Sequence, residues 1–354
     1  MDLSFYKGKR VLLTGHTGFK GTWLTKILVN AGAELLGYSR CSEKHPNFFA
    51  MSGVEQAMQH VKGDVRDYAH LQEVFSAFRP EIVFHLAAQP IVRESYEAPL
   101  YTYETNTMGT VNVLECIRKT DSVQSALIVT TDKVYRNEEQ GRSFREDDVL
   151  DGFEPYSNSK SCAELAVACY RRSFPNLPPI STARAGNVIG GGDFARDRII
   201  PDCVRAAQNG QPIIVRNPHS IRPYQHVLEP LFAYLLIAQK QTENQALAGC
   251  YNVGPEEQDC ITTGKLADLF CKNWGEGLHW IDRSDPNAPH EAGFLQLDCS
   301  LMKQTFGWKP KWSVDECVAQ TVRFYKQLPA QSDCEKEMTR QIDEFMICES
   351  LRPL

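Results

Sequence analysis

Tyr156 and Lys160 stand four residues apart in the run Tyr-Ser-Asn-Ser-Lys. At the start of a helix, that spacing puts both side chains on one face. An ammonium beside a phenol stabilises the phenolate, so the pair could take a hydroxyl proton near neutral pH while hydride leaves the same carbon. Taken alone, the spacing reads as two surface residues of a helix; a second motif upstream reverses that preference. The run Thr14-Gly15-His16-Thr17-Gly18-Phe19-Lys20-Gly21 follows directly on Val11-Leu12-Leu13 and leads into a helix expected to begin near Thr22. In this strand-turn-helix setting Gly15 lets the strand turn sharply, Gly18 lets backbone approach a pyrophosphate and Gly21 permits close helix packing. The helix N-terminus adds a preference for negative charge. Thr17 and Phe19 complete a turn suited to a dinucleotide, the hydride acceptor that Tyr156 and Lys160 require.

Stepping outward along the chain, short apolar runs alternate with longer helical ones. They are Val11–Leu13, 21–31, 35–37, 71–78, 82–86, 107–118 and 126–130, with a further helix at 159–171 rich in Ala163, Ala166 and Ala168. This order predicts an α/β fold, a Rossmann-type doubly wound parallel sheet covered on both faces. Residues 1–183 are expected to form mainly the dinucleotide-binding domain. Residues 184–326, with Gly190-Gly191-Gly192 and several prolines, form mainly a smaller C-terminal substrate-binding lobe interleaved with it. In the tail, 327–354, Met338, Ile342 and Phe345 recur at helical spacing and predict a last amphipathic helix.

Two further positions bear on the cofactor. The second strand ends in Tyr38-Ser39-Arg40 and carries no acid for the ribose hydroxyls. Arg40 either accepts the additional phosphate of NADP or is a solvated loop residue. Asp64, in Gly63-Asp64-Val65, either contacts the adenine or caps the helix that follows.

Composition narrows the function classes. The chain has 354 residues, 42% of them hydrophobic, enough for a sizeable core. Lys and Arg number 38 against 44 for Asp and Glu, a net charge of -6, which gives no general attraction to nucleic acid or an anionic membrane. The N-terminus lacks the cationic and then apolar run of a secretion signal, so a cytoplasmic location is expected. Leu231–Ala238 is too short to span a bilayer, which takes about 20 residues, and is expected to be a buried helix. Twelve cysteines are scattered without a C-x-x-C pair or histidines at ligand spacing, which predicts reduced core thiols and no metal.

The glycine turn, His85-Leu86-Ala87-Ala88-Gln89, Asn106 with Gly109-Thr110, and Tyr156 with Lys160 together resemble the extended short-chain dehydrogenase/reductase superfamily, over roughly residues 8 to 325. The resemblance implies NAD as cofactor, lined by Leu86, Ala87 and Ala88 and by Ser39, Arg40, Asp64 and Val65, with Tyr156 and Lys160 as the oxidising pair and Thr131 as the third member. Past that hydroxyl the chain reads Asp132-Lys133, where nucleotide-sugar 4,6-dehydratases carry an acid and a base. The Thr-Asp-Lys run, Gly-His-Thr-Gly-Phe-Lys-Gly from Gly15, Arg-Pro-Tyr-Gln-His-Val-Leu-Glu-Pro from Arg222 and His-Glu-Ala from His290 are similar to the branch of that family acting on CDP-glucose. This implies C4 oxidation, elimination of water across C5 and C6, and hydride return to C6. Asp132 is then the acid for the departing hydroxyl and Lys133 the base, and the product feeds deoxysugars of a bacterial surface polysaccharide (lipopolysaccharide O-antigen).

A nucleoside diphosphate needs forked cationic donors, and the second lobe offers Arg184, Arg196, Arg198, Arg216 and Arg222. The substrate set is expected to comprise Gln89, Asn187, Asp193, Arg196, Arg216, Arg222 and His290. The helices near 107–118 and 159–171 resemble those that form the superfamily's homodimers, although their small residues would equally suit an internal core. Two other readings stand beside the dehydratase. A nucleotide-sugar epimerase would leave Asp132 and Lys133 unexplained, and a silent dinucleotide sensor would leave Thr131, Tyr156 and Lys160 unexplained.

Overall fold

Val11, Leu12 and Leu13 have no polar side, and the strand they form is buried on both faces. This strand, β1 (Arg10–Thr14), pairs in parallel with β2 (Glu34–Ser39) on one side and β4 (Ile82–His85) on the other, with Val11 opposite Leu35 and Ile82. The computed structural model describes residues 2–40, 46–285, 292–328 and 331–348. With β3 (Gln59–Lys62), β5 (Ser125–Val129), β6 (Ile180–Arg184) and the strand Cys250–Asn252, these form a seven-stranded sheet. Its order is Cys250–Asn252, β6, β5, β4, β1, β2, β3, and every neighbouring pair is parallel.

Alternate residues of one strand feed separate cores. Val11, Leu13, Ile82, Phe84 and Leu127 belong to one cluster, while Leu12, Val83, Ala126 and Ile128 belong to the other. Side chains in a strand alternate by face, so two cores mean that both faces are covered. The chain runs outward from β1 to β3 and then crosses back to β4 on the other side of β1. This reversal of direction opens a crevice beyond the carboxyl ends of β1 and β4.

Three helices position the chemistry. Helix α1 (Phe19–Asn30) starts before Thr22, because extended Gly18 supplies its N-cap. Helix α2 (Gly109–Arg118) continues from a π-helical turn, Glu104–Met108, whose Asn106 clamps the backbone of Gln89 at 2.8 and 3.0 Å. Helix α3 (Pro155–Ser173) begins four residues ahead of Ser159, with Pro155 in its first turn and Glu154 accepting from the Tyr156 and Ser157 amides.

The later half of the chain returns to the first. Helix α4 (Leu228–Glu243) is buried along most of its length, and the Ala238 carbonyl accepts from Ser125 of β5 at 2.9 Å. The last helix, Gln331–Ile347, buries Met338, Ile342 and Phe345, as their spacing predicts, and ties to α1 through Lys26 and Glu335 at 2.8 Å. Among the described residues no cysteine is in a disulfide, no cluster could hold a metal, and no helix is long and apolar enough to cross a membrane.

Candidate active site

A cleft of about 1220 Å³ lies over the carboxyl ends of the strands. Single-ligand pockets run to about 1,000 Å³, so this one has room for two. Its first half is built from backbone. Gly15 has φ +77°, and a Cβ there would stand 2.6 Å from the Ala87 nitrogen. A Cβ on Gly21 would stand 2.1 Å from the Gly15 carbonyl oxygen, whereas one on Gly18 would meet only that oxygen, at 3.4 Å. The turn is thus tight where it must pack and open where a pyrophosphate would approach, which fits a dinucleotide. Thr17, Phe19, Val65, Leu86, Ala87 and Ala88 line the same half.

At the far end of that half, Ser39 binds the Thr17 hydroxyl at 2.9 Å, and Arg40 and Arg66 both lie over the Tyr101 ring, at 5.3 and 4.9 Å. Asp64 does not cap a helix; Asp67 caps Tyr68–Phe78, because it sits one residue before the first turn. Instead Asp64 faces the cleft and accepts from the Arg66 amide and guanidinium at 2.8 to 3.1 Å. Burial works to raise its pKa, but these bonds and the Arg66 charge hold it below the ordinary value.

The catalytic end joins β5, α3 and the loop after β6. Tyr156 and Lys160 lie one turn apart in α3. The Lys160 amine donates to the Val129 carbonyl at 3.0 Å, and burial pushes its pKa down to about 8. Tyr156 does not have the lowered pKa that its lysine neighbour implied. Burial raises it to about 12, and the Thr131 hydroxyl bond pulls only partly the other way.

Asp132 is fully buried, one layer behind the wall formed by Thr131 and Lys133. Its Oδ1 accepts from Thr131 at 2.9 Å and from Lys133 Nζ at 3.1 Å, and its Oδ2 accepts from Asn187 at 2.9 Å. Gly186 makes room for it, since a Cβ there would fall 1.9 Å from the carboxyl carbon. Only Lys133 of this pair reaches the cleft.

The expected substrate residues divide. Asn187, Asp193, Arg216, Arg222 and Gln89 line the cleft. The Gln89 amide is nonetheless engaged with Ile91 and Thr102, and Arg222 with the carbonyls of Ile221 and Ala292. Arg216 is paired with Asp197 at 2.7 Å and Asp202 at 2.9 Å. Arg196 is a correction: it is exposed and outside the cleft, and Arg198, paired with Asp193 at 2.9 Å, lines it instead. Arg184 is likewise no phosphate ligand, because it is buried against Glu164 at 3.0 Å. His290 lies outside the described residues.

Lys20, Lys62, Arg93 and Tyr101 also line the cleft and were not singled out. Lys20 had a signal, since it sits inside the glycine motif; the other three come to the cleft only through tertiary packing.

The family described as GDP-mannose 4,6 dehydratase matches residues 12–321. The chain is 42% identical over 354 residues to the CDP-glucose 4,6-dehydratase of Salmonella typhimurium, covering 98% of each chain. It is 26% identical over 334 residues to the dTDP-glucose 4,6-dehydratase of Haemophilus influenzae, covering 89% of this chain and 97% of that one. Among solved structures, the UDP-glucose 4-epimerase of Thermus thermophilus in complex with NAD aligns with a TM-score of 0.79 at 25% identity, covering 90% of this chain and 99% of that one.

Proposed function

The chain belongs to the GDP-mannose 4,6 dehydratase family, and from that premise we propose that it dehydrates CDP-glucose to CDP-4-keto-6-deoxyglucose, with NAD as its resident cofactor. The observation that carries this reading is the ion pair of buried Asp132 with Lys133 at the cleft wall, beside Thr131 and Tyr156. An epimerase has no elimination for that pair to perform.

NAD, when bound, supplies a hydride acceptor for C4 and a donor for C6, and its oxidised form carries positive charge that helps Tyr156 lose its proton. Tyr156 takes the C4 hydroxyl proton, and Thr131 holds the phenol oxygen in place. Oxidation to the 4-ketone acidifies the C5 hydrogen.

Lys133 and Asp132 then act as one unit. A proton passed across their 3.1 Å contact from Lys133 to Asp132 leaves an amine facing the cleft and an acid behind it. The amine takes the C5 proton, while buried Asp132 gives its own to the Thr131 oxygen it contacts at 2.9 Å and Thr131, on the cleft wall, gives its hydroxyl proton to the C6 hydroxyl, which departs as water. The pair is then ammonium and carboxylate again. As hydride returns to C6, Lys133 gives a proton back to C5, and the proton that Tyr156 took from the C4 hydroxyl replaces it along the Thr131–Asp132 contacts, so the net reaction is a dehydration without net oxidation.

The paired arginines of the second half, with Arg198 and Arg216 held by Asp193, Asp197 and Asp202, are suited to a diphosphate without leaving an unpaired buried charge. Assembly as a homodimer is supported by Leu100, Met108 and Leu165, exposed by 72%, 52% and 54% on or next to the helices around α2 and α3. A cytoplasmic setting is part of the same proposal, and the absence of a disulfide among the described cysteines is in keeping with it.

The test is incubation of the purified protein and NAD with CDP-glucose and, separately, with dTDP-, UDP- and GDP-sugars, read by mass spectrometry. Loss of water from CDP-glucose alone is expected. An unchanged mass with every sugar overturns the proposal.

A further inference from the structure

Lys20 stands in the first turn of α1, and its side chain lines the catalytic end of the cleft with Nζ 5.8 Å from the Tyr234 ring centroid. The other cations at that end are committed within the protein: Lys133 to Asp132, Lys160 to the Val129 carbonyl and Arg198 to Asp193. Lys20 has no hydrogen bond or ion pair among the described residues, and nothing beneath it supplies one. The Tyr234 hydroxyl is buried and unpartnered there too.

The charged and titratable groups that face Lys20 are Lys160 and Tyr156 from α3, Asp132 and Lys133 beyond β5, Arg198 and, from α4, Tyr234. Burial and repulsion by Lys160, Arg198 and Lys133 outweigh the attraction of Asp132, and push the Lys20 pKa down to about 7.

A proton leaving oxygen for Tyr156 and a hydride leaving the carbon that bears it come from one H–C–O–H unit. The redox end of the cofactor must therefore serve this same end of the cleft. We propose that Lys20 is a positioning charge for the redox couple, whose ammonium disfavours the cationic oxidised nicotinamide relative to the neutral reduced one and so makes bound NAD a stronger hydride acceptor. This rests on NAD being the cofactor, but requires no particular sugar.

Separate titrations of NAD+ and NADH into the sugar-free protein test it. The Kd ratio of oxidised to reduced cofactor is expected to be about tenfold higher well below pH 7 than well above it, the scale of one unpaired charge in a partly buried cleft. Groups that act equally on both forms cancel in this ratio. Lys20→Met should lower the ratio about tenfold at acidic pH and remove the step near pH 7, leaving only the step near pH 8 that Lys160 contributes, while Lys20→Arg should remove the step near pH 7 by keeping the ratio high through it. Equal weakening of both forms by Lys20→Met, the mark of a phosphate contact, overturns the proposal, as does no change in either. Should Lys20→Met fold poorly, a flat ratio across pH 7 in the unaltered protein overturns it alone. Failure of the sugar panel would leave this result standing.

Discussion

The two halves of the cleft are made of different materials. The cofactor half is shaped by absent side chains, at Gly15 packed on Ala87, at Gly21 packed on Gly15, and at the open Gly18. The substrate half is shaped by paired charges, Arg198 with Asp193, Arg216 with Asp197 and Asp202, and Lys133 with Asp132. Backbone shape tolerates almost no added atom, whereas a charge network redistributes its partners when one is removed. The halves should therefore break by different amounts.

The largest effect is expected from Gly15→Ala. A Cβ at φ +77° and 2.6 Å from the Ala87 backbone combines left-handed strain of about 1–2 kcal/mol with overpacking of about 1–3 kcal/mol. Dinucleotide affinity should fall by roughly a hundredfold or more in a calorimetric titration. Retained affinity would mean that the turn is looser than its contacts imply.

Lys160→Met stands between the halves and should separate activity from stability. Its folded pKa, about 8, lies below the ordinary 10.5, so the folded state gives up the proton first as pH rises. The cost of burying the ammonium is fully present below pH 8 and is relieved between about 8 and 10.5, so stability rises with pH across that window. Replacing the lysine should raise unfolding free energy at neutral pH by up to about 3 kcal/mol while turnover drops about a hundredfold or more. A thermal melt that falls, or shows no change with pH across that window, would refute the assignment.

The smallest effect belongs to Arg216→Gln. Partly exposed ion pairs are worth about 0–1 kcal/mol, so KM for the sugar nucleotide should rise less than about tenfold with kcat nearly unchanged. A larger rise would make Arg216 a principal diphosphate ligand rather than one member of a network.

The same contrast explains what could be read from the sequence. The strand-turn-helix at 10–30, the Tyr156–Lys160 spacing and the Met338–Ile342–Phe345 stripe are local patterns, and each appears where its spacing places it. The charge pairs join residues distant along the chain or leave several candidates open. Arg196 and Arg198 were indistinguishable until the loop placed one outside and one inside. Arg184 carried the same charge yet answers Glu164 across the core. The burial of Asp132 behind Thr131 also depends on Gly186, 54 positions later, and no local pattern announces it.

The central claim is that Asp132 and Lys133 carry the elimination, and Lys133→Ala with NAD and CDP-glucose tests it most directly. Water loss by mass and reduced nicotinamide by absorbance are followed in the same reaction. The expected result is reduced cofactor forming while dehydration falls by roughly 10² to 10⁴, the usual worth of a general base. Dehydration at the unaltered rate would contradict the account and remove Lys133 from the chemistry.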